Sequence, residues 1–262
     1  MKAIILAAGE GSRLRPHTLD RPKCLVPLLG RPLLETQLAV LRGQGVDDIL
    51  LLGGYLAERL GYLGLPVILN PEYASSNMVW TLMRARPLLE AAKGPVIVSY
   101  GDIIYHPEAL RALMRTPGDM VVAVDREWEA YWRLRFDDPL TDAETLRLDD
   151  AGRIAEIGQK PSALSQIQGQ YMGLMLFTPA GLARLLRVFD RALARGELGG
   201  RPPRNAYLTD LLQAAIADGA ELWPAFCSGQ WVEVDTPQDL GLPENQGRAG
   251  AILACLGTIQ VN

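Results

Sequence analysis

The first half of the chain alternates two kinds of apolar pattern. Residues 2–8 form a short continuous apolar run closed by Gly9, the pattern of a strand buried on both faces of a parallel sheet. Residues 32–44 carry Leu33, Leu34, Leu38, Val40 and Leu41 at helical spacing behind a leading proline, and Gly45 closes them. The alternation continues with a strand at 48–52, a short helix at 55–60, a strand at 66–69 and a helix at 77–91 that Ser76 or Asn77 is placed to cap. A strand at 95–99, a helix from Pro107 and a strand at 120–124 complete it. This predicts an α/β fold with a doubly wound, Rossmann-like, mostly parallel sheet.

The pattern changes after residue 124. Residues 125–148 are rich in aromatics and charge, with Trp128, Tyr131, Trp132, Arg133, Arg135 and Phe136 close together. Segments 145–148 and 153–157 flank Asp150-Ala151-Gly152, a hairpin signal. Beyond them we expect a strand at 171–177, a helix at 178–194, a Gly/Pro loop, a helix at 205–218 and strands at 221–226 and 230–234. The expected organisation is one catalytic domain over 1–241, a small β-rich substrate lobe at about 125–175 and a tail over 242–262. The apolar part of that tail suits packing on the core or on a second copy in a homodimer.

Composition narrows the partners. The chain has 262 residues, 48% hydrophobic and 21% charged, enough for a full core. A net charge of -4 supplies no basic face for nucleic acid or an anionic membrane. Cys24, Cys227 and Cys255 fit neither a disulfide framework nor a metal knuckle, and His17 and His106 follow no zinc spacing. No run reaches the ~20 apolar residues of a membrane span, and glycines and arginines follow the first strand where a signal peptide would continue. These features predict a cytoplasmic protein with reduced thiols.

The chemistry begins at the end of the first strand. The segment Leu6-Ala7-Ala8-Gly9-Glu10-Gly11-Ser12-Arg13 lets backbone N–H groups approach phosphate oxygens without side chains in the way. Arg13 adds a fork of donors suited to a triphosphate, and Lys23 a compact positive charge. A plain strand-to-helix turn with solvated basic residues would look similar. The Walker loop is absent, because no Gly-Lys-Ser/Thr follows at the required spacing. The dinucleotide fingerprint is also absent: its third glycine is missing, and Gly53-Gly54 stand where the second strand should end in an acid.

The stretch LAAGEGSRLRP followed by RPKCLVP resembles the signature loop of the sugar-phosphate and cytidylyl nucleotidyltransferase family. The resemblance extends to about Leu240. It implies the nucleotide-diphospho-sugar transferase type of fold, with the glycine loop and Arg13 on the triphosphate and Lys23 at the α-phosphate. Within the family, Asn77-Met78-Val79-Trp80-Thr81, Ser99-Tyr100-Gly101-Asp102, Arg135-Phe136, Asp142-Ala143-Glu144-Thr145 and Gln168-Gly169-Gln170-Tyr171 look closest to cytidylyltransferases acting on phosphocholine, phosphonates and phospho-amino acids. Sugar-specific branches usually carry Gln-Gly-Thr-Ala where this chain has Asn77 onward.

Further residues take roles from that resemblance. Asp102 and Asp235 each follow a strand, and ligand groups gather at the carboxyl ends of strands in an open sheet. Two such carboxylates suit a hard Mg²⁺ ion; the alternatives are a helix cap for Asp102 and a turn carboxylate for Asp235. Glu233 is expected to face away from Asp235. Ser76 and Asn77 resemble the base-reading segment, with Tyr100 and Gly101 beside the nucleotide, although Asn77 could equally cap its helix. Lys160, in Glu156-Ile157-Gly158-Gln159-Lys160-Pro161, resembles a lysine that holds the acceptor phosphate. Trp128, Trp132, Arg135, Gln168, Gln170 and Asp210 are acceptor-side candidates, although the aromatics could simply cover the sheet.

The expected activity is Mg²⁺-dependent transfer of CMP from CTP to a small phosphate or phosphonate, with pyrophosphate released. Alternatives are a sugar-1-phosphate nucleotidylyltransferase, a glycosyltransferase of similar architecture and a non-catalytic nucleotide sensor. The second lacks its Asp-x-Asp at Asp102-Ile103-Ile104, and the third should have lost Lys23, Asp102 or Asp235.

Overall fold

The structure, a computed structural model, describes residues 1–259, so the end of the expected 242–262 tail lies outside the described residues. Besides a two-residue hairpin pair at Pro27–Leu28 and Arg31–Pro32, the strands are β1 (Lys2–Ala7), β2 (Asp48–Gly53), β3 (Val67–Leu69), β4 (Val96–Tyr100), β5 (Ile103–Tyr105), β6 (Met120–Asp125), β7 (Leu146–Leu148), β8 (Ile154–Ile157), β9 (Gln170–Phe177), β10 (Trp223–Cys227) and β11 (Trp231–Glu233). The helices are α1 (Leu33–Gly43), α2 (Met78–Met83), α3 (Arg86–Glu90), α4 (Pro107–Arg115), α5 (Trp128–Arg135), α6 (Pro179–Arg195), α7 (Leu208–Ala217), α8 (Pro237–Gly241) and α9 (Pro243–Ile259).

Seven strands form the central sheet in the order β10-β6-β9-β4-β1-β2-β3. All neighbours are parallel except β9, which runs antiparallel to both β4 and β6. The sheet is the expected Rossmann-like, mostly parallel one. It is buried on both faces. Ile4 and Leu6 pack with Leu50, Leu52, Val96 and Val98 on one side, while Ala3, Ile5 and Ala7 pack with Ile49, Leu51 and Ile97 on the other. Double-sided burial explains why β1 reads as an unbroken apolar run rather than an alternation.

The chain leaves β1 for β2 and β3 on one side, then returns to place β4 on the other. That reversal opens a crevice at the carboxyl ends of β1 and β4, where ligands bind in open α/β sheets. The glycine loop, Tyr100 and Asp102 all belong to the chain at this point.

Four elements differ from expectation, the first being the helix at 55–60, which is a 3-10 helix over Ala57–Leu63. The helix at 77–91 is two helices, α2 and α3, because Pro87 disfavours helical geometry just ahead of it. The aromatic stretch after residue 125 contains the helix α5, and Trp128, Tyr131, Trp132 and Arg135 share one face of it at helical spacing. The strand that leads to Asp235 is not in the central sheet: β11 pairs antiparallel with β5 in a separate ribbon. The hairpin β7–β8 forms as expected, whereas β9 is a member of the main sheet. The tail forms α9, which buries Ala249, Ile252 and Leu256 against the core. Among the described residues no helix is long and apolar enough to cross a membrane.

Candidate active site

The crevice beside β1 is lined by Leu6, Ala7, Ala8, Gly9, Lys23, Ser76, Asn77, Tyr100, Gly101 and Asp102, all named from the sequence, with Cys24, Tyr73, Met78 and Thr81. Close backbone contacts define it. The Gly101 N–H donates to the Leu6 carbonyl at 3.0 Å, and a Cβ on Gly101 would lie 2.7 Å from that oxygen. Gly11 sits at a positive φ of 61° and starts the turn Ser12–Leu14. Buried Gln37 steadies the Asp102 loop from below. Its amide donates to the carbonyls of Tyr100 and Ile103, and its side-chain oxygen accepts from Ser99 Oγ.

Ser76 and Asn77 are pinned rather than free. Ser76 Oγ donates to the Glu72 carbonyl, and Asn77 Nδ2 donates to the Asn205 carbonyl at 2.8 Å. Asn77 occupies the position before α2, but its side chain makes no capping bond.

The centre of the site is Lys23. Its Nζ lies 2.6 Å from Asp102 Oδ2 and bonds Asp235 Oδ1 as well. Residues from three separate segments of the chain therefore converge on one point. Asp235 Oδ1 also accepts from Arg13 at 3.1 Å. Burial alone would lower the Lys23 pKa, but the two carboxylates outweigh it and raise the ammonium well above its usual range. Burial likewise works to raise Asp235, and Lys23, Arg13 and Arg135 together hold it low. Asp102 Oδ1 is buried without a hydrogen-bond partner. These two carboxylates, one with a spare oxygen, could hold a hard divalent cation whose other ligands are phosphate oxygens and water.

A second cavity opens from the same carboxylate. Arg13, Met78, Tyr100, Trp132, Asp142, Glu144, Gln170, Tyr171, Thr209, Tyr207, Glu233 and Asp235 line it. It thus shares Arg13 and Asp235 with the Lys23 centre. Of the acceptor candidates, Trp132 and Gln170 line this cavity. Trp132 donates its indole N–H to Asp142 at 3.1 Å.

The other acceptor candidates are placed differently. Arg135 is 1% exposed and bonded to Glu233, Asp235 and Asp239 at once, so it braces the carboxylates from behind and has no free donor face for an acceptor. Trp128 is buried edge-on against Trp132 within the α5 stripe. Lys160 spends its ammonium on the carbonyls of Leu140 and Thr141. Gln168 accepts from the Leu148 N–H on the hairpin. Asp210 is buried as a helix cap, accepting from the Tyr207 N–H at 2.8 Å and pairing with Arg201. Glu233 corrects the expected register. It stands two residues from Asp235 and so shares its side of the extended chain; both touch Arg135 and line the cavity. Burial and the Asp235 charge push the Glu233 carboxyl upward.

Glu10, Gly11 and Ser12 lie outside the linings of both cavities, and Glu10 pairs with Arg15 at 3.5 Å. Sequence reasoning missed Gln37, Asp142, Glu144, Tyr207 and Thr209 as site residues. Asp142 and Glu144 had a signal, since both fall in the family-like Asp142-Ala143-Glu144-Thr145 stretch. Gln37 had none.

Comparison with known proteins places the chain in a family. The chain is 34% identical over 248 residues to the CTP:phosphoglutamine cytidylyltransferase of Campylobacter jejuni, covering 92% of this chain and 98% of that one. A choline-phosphate cytidylyltransferase of Streptococcus pneumoniae is 45% identical over 86 residues, covering 31% of this chain and 38% of that protein. Among solved structures, the inositol-1-phosphate CTP transferase from T. maritima superposes with a TM-score of 0.71 at 22% identity, over 94% of this chain and 95% of the other. The family model of the MobA-like NTP transferase domain matches residues 3–198. With its glycine loop, its Lys23 centre and its sheet, the chain belongs to the MobA-like NTP transferase family of nucleotidyltransferases.

Proposed function

We propose that the protein transfers CMP from CTP, with Mg²⁺, to a small acceptor bearing a phosphate or phosphonate, and releases pyrophosphate. The observation that carries this reading is the convergence of Lys23, Asp102, Asp235 and Arg13 where the nucleotide crevice meets the second cavity. The relatives' printed activities, cytidylyl transfer to phosphoglutamine and to choline phosphate, support the nucleotide and the acceptor class.

An acceptor oxygen attacks the α-phosphorus in line, a new P–O bond forms, and the bond to the β-phosphate oxygen breaks. The acceptor oxygen is already anionic at neutral pH, so no general base is needed. Asp102 and Asp235 would hold the divalent cation, which would supply Lewis-acid charge to the phosphates. Lys23 and Arg13 then serve the phosphates: Lys23 neutralises charge developing at the α-phosphate, and Arg13 orients phosphate oxygens through its fork. The tight backbone at Leu6, Gly101 and Gly54 holds the crevice in shape before binding, so less order is lost when the nucleotide enters.

Pyrophosphate release measured with each of four nucleoside triphosphates, with and without Mg²⁺, tests the reading. The expected result is turnover with CTP and Mg²⁺ and a phosphate or phosphonate acceptor. Preference for a sugar 1-phosphate with UTP or dTTP would overturn it.

A further inference from the structure

The chain between α6 and α7 braces the walls of both cavities. It makes the 3-10 turn Pro203–Asn205, which itself lines neither cavity and lies beyond residues 3–198 of the family match. Five hydrogen bonds tie this turn to the loop 72–77. The Asn77 N–H donates to the Arg204 carbonyl at 2.9 Å, and Asn77 Nδ2 donates to the Asn205 carbonyl at 2.8 Å. Asn205 Nδ2 donates to the Ser75 carbonyl at 3.1 Å. The Arg204 guanidinium donates to Ser75 Oγ at 2.9 Å and to Glu72 at 3.2 Å. Tyr73, Ser76 and Asn77 of that loop line the crevice beside β1. Asn77 is thus held through main chain and side chain alike, and this wall of the crevice does not shift without the turn.

The same span reaches the second cavity. Tyr207 and Thr209, two and four residues beyond the turn, line it. The span is braced internally. Arg201 pairs with Asp210 at 3.3 Å and lies over the Tyr207 ring at 4.5 Å, and Asp210 accepts from the Tyr207 N–H at 2.8 Å. Glu72 adds a second link. Its other oxygen accepts from the Trp80 indole N–H at 2.8 Å and from Arg84, which fastens the turn to α2. Met78 of α2 lines both cavities. The Arg204 and Glu72 side chains are 43% and 38% exposed, so solvent screens their attraction and the pair adds little stability. What the pair fixes is position.

We infer that Arg204 is a positioning residue whose turn couples the two cavities, so that a ligand in either one raises the affinity of the other. This rests on the cytidylyltransferase reading for what each cavity holds. A nucleotide that settles against Ser76 and Asn77 orders the loop 72–77. Through the five bonds it also orders the span that presents Tyr207 and Thr209. The second ligand then meets a wall already in place and loses less freedom on binding. The coupling is reciprocal, and each ligand strengthens the other by the same factor. The Arg204 side chain acts only through Glu72 and Ser75.

The test is calorimetric titration of the full chain with α,β-methylene-CTP and Mg²⁺, with and without excess 2-aminoethylphosphonate. The methylene bridge prevents turnover, so both affinities are read at equilibrium. We expect the phosphonate to tighten binding of the analogue roughly 10-fold, within the usual range for coupled sites, and the analogue to tighten the phosphonate equally. Arg204→Met should bring this factor toward unity. Arg204→Lys should keep part of it, because an ammonium still pairs with Glu72 but does not span Glu72 and Ser75 as a planar fork. Ser75→Ala, which removes one of the Arg204 bonds, should also fall between. A merely structural role would lower the number of competent binding sites in Arg204→Met and leave the coupling factor as it was. That result, or a native factor near unity, would overturn the inference. Pyrophosphate release with CTP and the same phosphonate judges the transferase reading separately. Release without coupling sinks the coupling alone, and coupling without release from any acceptor sinks the transferase reading and keeps the role of the turn.

Discussion

Replacing Lys23 by methionine keeps most of the side-chain volume and removes the charge that joins Asp102 to Asp235. The three side chains are 14%, 23% and 9% exposed, so solvent screens little of what is lost. Both carboxylate oxygens bond one nitrogen, which places them no more than about 5 Å apart. Two like charges at that distance repel by about 3 kcal/mol at an effective dielectric of about 20. Breaking one partner out of a largely buried ion pair costs a similar amount, roughly 3 to 5 kcal/mol. Urea denaturation in chelator should therefore show Lys23→Met about 3 kcal/mol less stable than the native protein. Saturating Mg²⁺ should recover most of that loss, because the uncompensated carboxylates bind the cation more tightly in the folded state. Turnover should not recover: pyrophosphate release should stay lower by roughly 10²-fold or more, the scale of one preorganised charge at the reacting phosphate. A variant with near-normal turnover at saturating Mg²⁺ would refute the role given to Lys23. A stability loss insensitive to Mg²⁺ would refute the shared site of Asp102 and Asp235.

Gly101→Ala should weaken CTP binding with a smaller effect on acceptor KM, since its Cβ would press on the Leu6 carbonyl at the mouth of the crevice; calorimetric titration with CTP measures it, and unchanged affinity would contradict the packing. Arg135→Met should destabilise the protein by roughly 3 to 5 kcal/mol by stranding the carboxylates of Glu233, Asp235 and Asp239. Arg135→Lys should recover little of this, because an ammonium cannot reproduce three directed donors; a loss under about 1 kcal/mol in either variant would count against the strut. Burial, reinforced by Asp210, pushes the Glu144 carboxyl up to about 7. The folded chain thus keeps a proton that the unfolded chain releases near its ordinary value, so this group's stabilisation is present at low pH and lost as pH rises toward 7. Relative to Glu144→Gln, the native protein should lose about 1 to 2 kcal/mol across that window in urea titrations, with partial solvent access reducing the full linkage value; parallel curves would show that Glu144 is not held protonated.

What could be read from the chain was local or repeated. The continuous apolar run of β1 and the small residues after it located the crevice beside β1, because close backbone approach needs those residue types whatever surrounds them. Asp102 and Asp235 were legible as strand-end carboxylates, although β11 reaches the site through a side ribbon with β5 and not through the main sheet. Arg135 was misassigned because its three partners lie about a hundred residues further on, and no local signal says that they close around it. Its helix was not expected, although Trp128, Tyr131, Trp132 and Arg135 follow the helical spacing that places them on one face. Lys160, Gln168 and Asp210 are polar residues whose partners are mostly backbone groups of loops and caps, which a sequence does not display. Glu144 and Gln170 gain their character from burial in a shared cavity, which depends on the packing of α5, β9 and α7 together.

The most direct test of the central claim is continuous measurement of pyrophosphate release by the purified full chain with CTP, Mg²⁺ and 2-aminoethylphosphonate. The arrangement of Lys23 between Asp102 and Asp235 predicts saturable release that requires CTP, the acceptor and the metal together, and that Asp235→Asn abolishes. Absence of release with every nucleotide and every phosphate or phosphonate acceptor, from folded protein that binds CTP, would contradict it.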